Sequence, residues 1–121
     1  MPLCENPQYI HEPTELQCGQ AVLAMLSGKS VCEICKIVGT EKETTLKQMF
    51  YALKYFGIKF NPNRIEVSCK EELPPICILS LETPRCWHWS LYYKGKFLDP
   101  EHNILDDFPI SNRKYYWEIL S

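Results

Sequence analysis

The sequence predicts an α+β fold in which N-terminal helices pack on a C-terminal antiparallel sheet. Two patterns support this prediction. Apolar residues recur at helical spacing as far as Gly57, and short β-like runs separated by turn residues follow it. Helices that precede an antiparallel sheet are typical of α+β domains. No repeat or linker divides the 121 residues, so we expect one domain over positions 1–121.

The first helix is predicted to follow an extended segment at residues 1–13. Thr14 is a candidate N-cap, and Gln17 three residues later would complete a capping box. Gly28 is expected to end the helix after about Leu26. The residues predicted to face the core are Cys18, Ala21, Val22, Met25 and Leu26.

Two more helices are predicted before the sheet. One follows Ser30 and closes at Gly39, with Val31, Ile34, Cys35 and Val38 facing inward. The other follows Thr44 or Thr45 and ends at Gly57. Its predicted inward residues are Leu46, Met49, Phe50, Leu53 and Phe56.

The remaining elements are predicted to be strands. Residues 58–60 and 65–67 are short and β-like, and Pro74-Pro75 precedes a buried strand at 76–81. A hairpin is predicted in which Lys94-Gly95 joins strands at residues 87–93 and 96–99. Residues 114–120 are predicted to form a last strand. Aromatic residues in these runs are expected to pack in the core and the sheet rather than line a peptide groove. They are Tyr92, Tyr93, Tyr115, Tyr116 and Trp117.

Composition limits the classes of function. Thirteen Lys and Arg against fifteen Asp and Glu give a net charge of −2, without the basic surface typical of proteins that bind nucleic acid or anionic membranes. No apolar run approaches the ~18 residues of a membrane span, and the N-terminal residues have no apolar signal core. We expect a soluble, cytoplasmic protein, with export by a non-classical route as the alternative. The oligomeric state is left open.

The chain has seven cysteines, an odd number, and it lacks the features of a secreted disulfide scaffold. We expect mostly free thiols in a reducing compartment. Cys32-x-x-Cys35 has zinc-compatible spacing but no second ligand pair beside it, so packing of Cys35 in the core is favoured over metal binding. No role is assigned to Cys4, Cys69, Cys77 and Cys86.

Cys18 is the candidate nucleophile. It falls in the first turn of a predicted helix, where free N–H groups and the helix dipole stabilise the negative charge of a thiolate. Gly19 follows and would leave room for the backbone of a substrate. Taken alone, such a cysteine is more often a small buried apolar residue.

His88 and Asp99 are the candidate partners of this thiol. If Lys94-Gly95 is a two-residue turn, His88 faces Glu101 across the hairpin, and Asp99 faces Ser90 one step along the same face. Such a diagonal pair is close enough for Asp99 to orient the imidazole, as the third member of a catalytic triad does. Glu101 is the fallback orienting group. The alternatives are a structural histidine and a turn that merely ends the strand.

The sequence from Glu12 to Leu26 resembles the active-site helix of the bacteriocin-processing, papain-like cysteine peptidases. The resemblance continues in Gly28-Lys-Ser-Val, in the helix that ends at Gly57, in His88-Trp-Ser-Leu and in Leu98-Asp99-Pro100, and so covers nearly the whole chain. That family cuts leader peptides after double-glycine motifs, often as a domain fused to an exporter, and has stand-alone relatives. The resemblance implies a compact papain-like fold with Cys18 as nucleophile, His88 as general base and acid, and Asp99 as orienting group. It implies no cofactor and no metal.

Glu12 departs from the family pattern. The family usually has Gln at this position, six residues before the cysteine, and its amide donates to the oxyanion. A carboxylate would repel that charge, and losing one such donor typically costs about 100- to 1,000-fold in rate. Either Glu12 is protonated, or Gln8 or Gln17 substitutes for it, or the chain is a poor hydrolase. A solvated Glu before a proline is the fourth interpretation.

The sequence therefore favours a cysteine hydrolase that acts on a peptide or isopeptide bond, with a peptide or protein as its partner. Glutamine deamidation or acyl transfer on the same fold is one alternative. A degenerate domain that binds a peptide without cutting it is the other, and Glu12 is the residue that favours it.

Overall fold

The computed structural model describes residues 7–120 and has the predicted α+β architecture, with the helices before the sheet. The helices among these residues are α1 (Cys18–Ser27), α2 (Val31–Val38) and α3 (Leu46–Tyr55). The strands are β1 (Ile65–Glu66), β2 (Ile76–Glu82), β3 (Trp87–Tyr93), β4 (Lys96–Asp99), β5 (Asn103–Leu105) and β6 (Lys114–Glu118). They form an antiparallel sheet in the order β1-β6-β2-β3-β4-β5.

The ends of the second and third helices are fixed by the predicted residues. The Ser30 hydroxyl accepts from the Glu33 N–H, and Thr45 forms a reciprocal capping box with Gln48. Gly28 and Gly39 follow α1 and α2 in the left-handed conformation, with φ of +76° and +81°, which glycine adopts without a steric penalty.

The predicted start of the first helix is wrong. The N–H of Leu16 donates to the Thr14 hydroxyl in a local turn, so Thr14 does not cap α1. The Gln17 amide donates instead to Cys35 Sγ, at 3.6 Å. The helix begins at Cys18 itself, without a side-chain cap. The thiol is therefore on the first residue of the helix, where the backbone N–H groups have no partner within the helix.

The hairpin has the predicted register near its turn, where Leu91 pairs with Leu98. Lys94 and Gly95 both have positive φ, as a two-residue type I′ turn requires. The predicted pairing of His88 with Glu101 is wrong, because the ladder ends at that Leu pair and the chain turns after Asp99. The Glu101 carboxylate contacts Arg85 instead.

The two faces of the sheet are covered differently. The helices bury one face, and α1 is almost completely enclosed, since Cys18 and each residue through Leu26 are buried. The other face carries a smaller apolar cluster around Phe97 and Tyr92, which Leu73 and Phe108 from the connecting segments cover. This is ordinary aromatic packing, as expected for the strand aromatics.

Two other sequence expectations need correction. Leu46 is 41% exposed rather than buried, because it begins α3 at the edge of the core. Cys35 is half-buried and lines a groove instead of packing in the core. Two elements were not predicted, the strand β5 and a 3₁₀ turn at Lys70–Glu72.

The six cysteines in the described part of the chain all have free thiols, in agreement with the sequence analysis; Cys4 lies outside it. None of the helices within residues 7–120 is long and apolar enough to cross a bilayer.

Candidate active site

The candidate site lies where the first residue of α1 meets β3. The ladder between β3 and β4 ends at Leu91, and the Trp89 N–H donates to Cys18 Sγ at 3.3 Å. The Cys18 thiol thus accepts a hydrogen bond from a backbone N–H of β3 that lies just beyond the end of the β3–β4 ladder. Cys18 is 7% exposed, so the residue is buried but not fully closed off from solvent.

The loop before α3 holds the start of α1 in place. The buried Gln20 amide donates to the carbonyls of Thr40 and Lys42, at 3.1 and 2.6 Å, and the Trp89 indole donates to the Thr44 carbonyl at 2.8 Å. A Cβ atom on Gly19 would lie 2.6 Å from Thr44 Cβ. Gly19 is therefore required by this close internal contact, and the expectation that it makes room for a substrate is wrong.

His88 and Asp99 form a buried pair beside the thiol. His88 Nε2 lies 2.9 Å from Asp99 Oδ1, and the two side chains are 3% and 0% exposed. The Ser90 hydroxyl donates to Asp99 Oδ2 at 2.8 Å. A ring nitrogen of His88 also lies within 4.8 Å of Cys18 Sγ. Because Nε2 bonds to Asp99, Nδ1 is the nitrogen left to face the thiol.

The Asp99 carboxylate accepts more hydrogen bonds than the sequence suggested. Its Oδ1 atom also accepts from the N–H groups of Glu101 and His102, each at 3.0 Å. The His102 ring approaches the same oxygen, with Nδ1 at 3.0 Å. Sequence reasoning missed His102, although an Asp that bonds to N–H groups two and three residues later is a common turn signal.

The protonation states of the pair follow from these contacts. Burial acts to lower the pKa of His88, but its hydrogen bonds and charge interactions with Asp99 and Cys18 outweigh burial and raise that pKa. Burial acts in the opposite direction on Asp99, and the hydrogen bond and charge of His88 lower the pKa of the carboxyl. The pair is accordingly an imidazolium beside a carboxylate at neutral pH.

Glu12 reaches the site from the N-terminal segment. Its N–H donates to the Pro100 carbonyl at 2.9 Å, and the Tyr9 hydroxyl bonds to the Asp99 carbonyl and the Asn103 N–H at 2.5 and 3.1 Å. These bonds hold the segment across the turn after β4, so that a Glu12 carboxylate oxygen lies within 4.8 Å of both Cys18 Sγ and a His88 ring nitrogen.

Glu12 is 6% exposed, so it is not a solvated surface residue. Its Oε1 atom is buried and has no hydrogen-bond partner. Burial raises the pKa of this carboxyl, and the charge of His88 opposes that rise only in part.

Neither Gln8 nor Gln17 is placed to take the role that the resemblance implies for a glutamine at position 12. Gln8 is exposed, and the Gln17 amide is directed to Cys35.

Two sets of side chains have the donor atoms of a metal site within 4.8 Å of one another. One set is Glu12, Cys18 and His88, and the other is His88, Asp99 and His102. In the second set Asp99 Oδ1 already meets four donor groups, which leaves it little capacity for a metal.

Comparison with protein-family models gives no match to this chain, and no curated protein matches it.

Proposed function

We propose that this protein is a papain-like cysteine hydrolase that cuts a peptide or isopeptide bond. The observation that carries the proposal is that a ring nitrogen of His88 lies within 4.8 Å of Cys18 Sγ, while His88 Nε2 lies 2.9 Å from Asp99 Oδ1. A nucleophile beside a base that a third group orients is the arrangement used in covalent catalysis. The resemblance of residues 12–26 to a leader-peptide peptidase supports the same conclusion.

In the proposed reaction the Cys18 proton resides on His88, and the thiolate attacks the carbonyl carbon of the substrate. The carbonyl π electrons move to oxygen and give a tetrahedral oxyanion. When that intermediate collapses, the amine leaves with the proton from His88, and the acyl group stays on Cys18 as a thioester. Neutral His88 then takes a proton from water, whose oxygen attacks the thioester, and the acid product leaves as the thiolate and imidazolium re-form.

Asp99 supports both halves of this reaction. Its bond to His88 Nε2 keeps the ring oriented with Nδ1 toward the thiol. Because Ser90 and two backbone N–H groups hold the carboxylate, the ring keeps this orientation while its charge changes.

The oxyanion would receive hydrogen bonds from two directions. The Cys18 N–H lies at the first residue of α1, and an N–H at that position has no partner within the helix. Glu12 in its protonated form supplies the second donor, and its raised pKa favours that form.

Glu12 is also the observation that favours the second candidate, a domain that binds a peptide without cutting it. An ionised Glu12 would oppose the oxyanion, whereas a bound, uncut peptide develops no such charge. This alternative predicts binding that survives loss of the Cys18 thiol, and no turnover.

The deciding experiment incubates the protein with a diverse peptide mixture, a reductant and a metal chelator, and follows the products by mass spectrometry. We expect new peptide termini with the wild type and none with Cys18→Ala or His88→Ala. Cys32→Ser is the matched control, because Cys32 is an exposed thiol in α2 and belongs to neither set of side chains around His88. Wild-type products that also form with Cys18→Ala would refute the proposal. Deamidation without cleavage would instead assign the same thioester chemistry to glutamine side chains.

A further inference from the structure

We infer that Glu12, Cys18 and His88 bind a zinc ion, which blocks the nucleophile while it is bound. The carboxylate oxygen, the sulfur and the ring nitrogen of these residues lie within 4.8 Å of one another. They come from the N-terminal segment, the start of α1 and β3. Each residue is more than nine-tenths buried, at 6%, 7% and 3% exposure. The three donor residues are therefore buried together rather than clustered on the surface.

An independent observation points to a cation at this position. Glu12 Oε1 is buried without a hydrogen-bond partner, although buried polar atoms in proteins are almost always paired. A cation between Glu12 and the thiol would give that oxygen the partner it lacks. It would also remove the repulsion between the carboxylate and a neighbouring thiolate.

The surroundings match those of known zinc ligands. A histidine that binds zinc generally bonds through its other nitrogen to a carboxylate, which orients the ring. Asp99 is such a carboxylate, because it bonds to His88 Nε2 and leaves Nδ1 of the ring free to bind a metal. The Trp89 N–H donates to Cys18 Sγ and supports negative charge on the sulfur.

The mixture of donors selects zinc over harder cations. Calcium and magnesium prefer oxygen ligands throughout, whereas zinc binds thiolate, imidazole and carboxylate together. With the usual bond lengths, donor atoms around tetrahedral zinc lie roughly 3.4–3.6 Å apart, so these side chains need only a small inward adjustment. Three protein ligands leave the fourth position for water.

Zinc bound in this way would hold the site inactive. The metal uses the sulfur lone pair that would attack a substrate and the ring nitrogen that would carry the proton. Glu12 is the residue that converts a thiol–imidazole pair into a three-ligand site, and zinc binding would thus give its carboxylate a role. Binding involves the residues of the proposed function, but it does not depend on hydrolysis taking place.

The experiment measures zinc binding to the full chain after treatment with a reductant and a chelator. Competition with a chromophoric chelator gives the affinity and stoichiometry, and Co²⁺ serves as a spectroscopic substitute. We expect one high-affinity zinc per chain and a thiolate-to-cobalt charge-transfer band that disappears once Cys18 has been alkylated. Glu12→Gln and Cys18→Ser should each weaken binding at least about tenfold, and Asp99→Asn about 10- to 100-fold as an outer-shell partner.

Two controls distinguish this site from its competitors. Cys32→Ser removes a ligand of the Cys-x-x-Cys pair, and His102→Gln removes a ligand of the Asp99 set. Cys32→Ser should bind zinc as the wild type does, and His102→Gln, which also removes a neighbour of Asp99 Oδ1, should weaken binding less than Asp99→Asn does. Retention of full affinity by folded Glu12→Gln, its loss in Cys32→Ser, or a loss in His102→Gln as large as that in Glu12→Gln would overturn the inference. The Co²⁺ band of the unmodified wild type tests the Cys18 ligand even if a variant fails to fold.

Zinc should also protect Cys18 from iodoacetamide in the wild type by at least tenfold, and this protection should be much weaker in Glu12→Gln. Zinc binding without any peptide cleavage would support this inference and count against the proposed function. Peptide cleavage by a protein that has no affinity for zinc would support the proposed function and contradict the zinc site.

Discussion

At the scale of single residues, the Asp99 carboxylate is the most connected group of the site. It accepts from His88, Ser90 and two backbone N–H groups, and the His102 ring lies against it. A buried carboxylate with this many donors stays ionised, because each bond stabilises its charged form. The imidazolium form of His88 depends on that charge.

Asp99→Asn tests whether this carboxylate orients His88. The amide keeps the shape of the side chain but loses the charge and one acceptor, so the orientation and charge of His88 are no longer fixed. We expect kcat on any substrate found to fall by about 10²- to 10⁴-fold, in line with triad enzymes. Steady-state kinetics measure this, and circular dichroism shows whether the fold is intact. A loss of less than threefold would mean that Asp99 does not orient His88.

The same pair should make stability depend on pH. The lowered pKa of Asp99 stabilises the fold above the unfolded value of about 3.9, and this is lost as pH falls through the folded value. The raised pKa of His88 stabilises the fold below the unfolded value of about 6.5, and this is lost as pH rises through the folded value. The pair therefore contributes most in the window between these two unfolded values.

We predict that His88→Gln lowers the free energy of unfolding by about 3 kcal/mol within that pH window and by less in alkaline solution. The reason is that the wild type loses the ion-pair contribution as His88 deprotonates, whereas the variant never has it. Urea unfolding at several pH values measures the difference. A difference that is constant with pH, or that grows in alkaline solution, would contradict an imidazolium at His88.

Glu12→Gln tests the role of the carboxylate in turnover. The amide donates a hydrogen bond at every pH, whereas Glu12 donates only below its own pKa. We expect the variant to be faster than the wild type near neutrality, by about 10-fold or more, and its rate to depend less on acidic pH. The assay contains a chelator, so zinc affinity does not contribute. If the rate at pH 7.5 is equal or lower in a correctly folded variant, Glu12 is not at the oxyanion.

At the scale of elements, the position of Cys18 depends on how tightly the start of α1 is held by the loop before α3. Gln20 and Trp89 bond to that loop, and Gly19 lies directly against Thr44. The helix therefore cannot shift along its axis without breaking these partly buried hydrogen bonds, each of which contributes about 1 kcal/mol.

Gly19→Ala is predicted to destabilise the protein, although Gly to Ala in a helix ordinarily stabilises it by about 1 kcal/mol. The new methyl group would lie 2.6 Å from Thr44 Cβ, so α1 or the loop has to move. We expect a loss of about 1–3 kcal/mol, as in other overpacked cores, and slower alkylation of Cys18. In a Thr44→Gly background the cost should shrink, which a double-mutant cycle measures. An equal cost in both backgrounds would place the strain elsewhere.

At the scale of the whole molecule, the N-terminal segment joins the helices to the far end of the sheet. Tyr9 and Glu12 bond to the turn at Asp99–Asn103, about 90 positions away in the sequence. This connection brings the Glu12 carboxylate to Cys18, and the geometry of the site is therefore a property of the complete fold.

Tyr9→Phe should loosen that connection while leaving the core unchanged. The ring stays, but the Asp99 carbonyl and the Asn103 N–H lose their partner. We expect the free energy of unfolding to fall by about 0.5–1.5 kcal/mol. Hydrogen exchange at the Glu12 N–H should become faster, because that group bonds to Pro100 in the same contact. Unchanged exchange at Glu12 would show that the segment is held by other contacts.

Local chemistry explains how much of the fold could be predicted from the sequence. The Ser30 and Thr45 caps, the glycines after α1 and α2 and the Lys94-Gly95 turn depend on groups a few residues apart. The start of α1 was mispredicted because Thr14 has two local hydrogen-bonding options, and sequence spacing does not distinguish a capping box from a turn.

The sequence by itself determined the α+β order, the hairpin and the placement of a thiol, an imidazole and a carboxylate on elements that could meet. The tertiary structure alone decided that Glu12 is buried with an unpaired oxygen beside Cys18, and that His102 contacts Asp99. It also decided that Gly19 serves internal packing. The physical reason is that burial and long-range contact depend on how distant segments pack together, whereas periodicity, capping and turn chemistry act within a few residues of the chain.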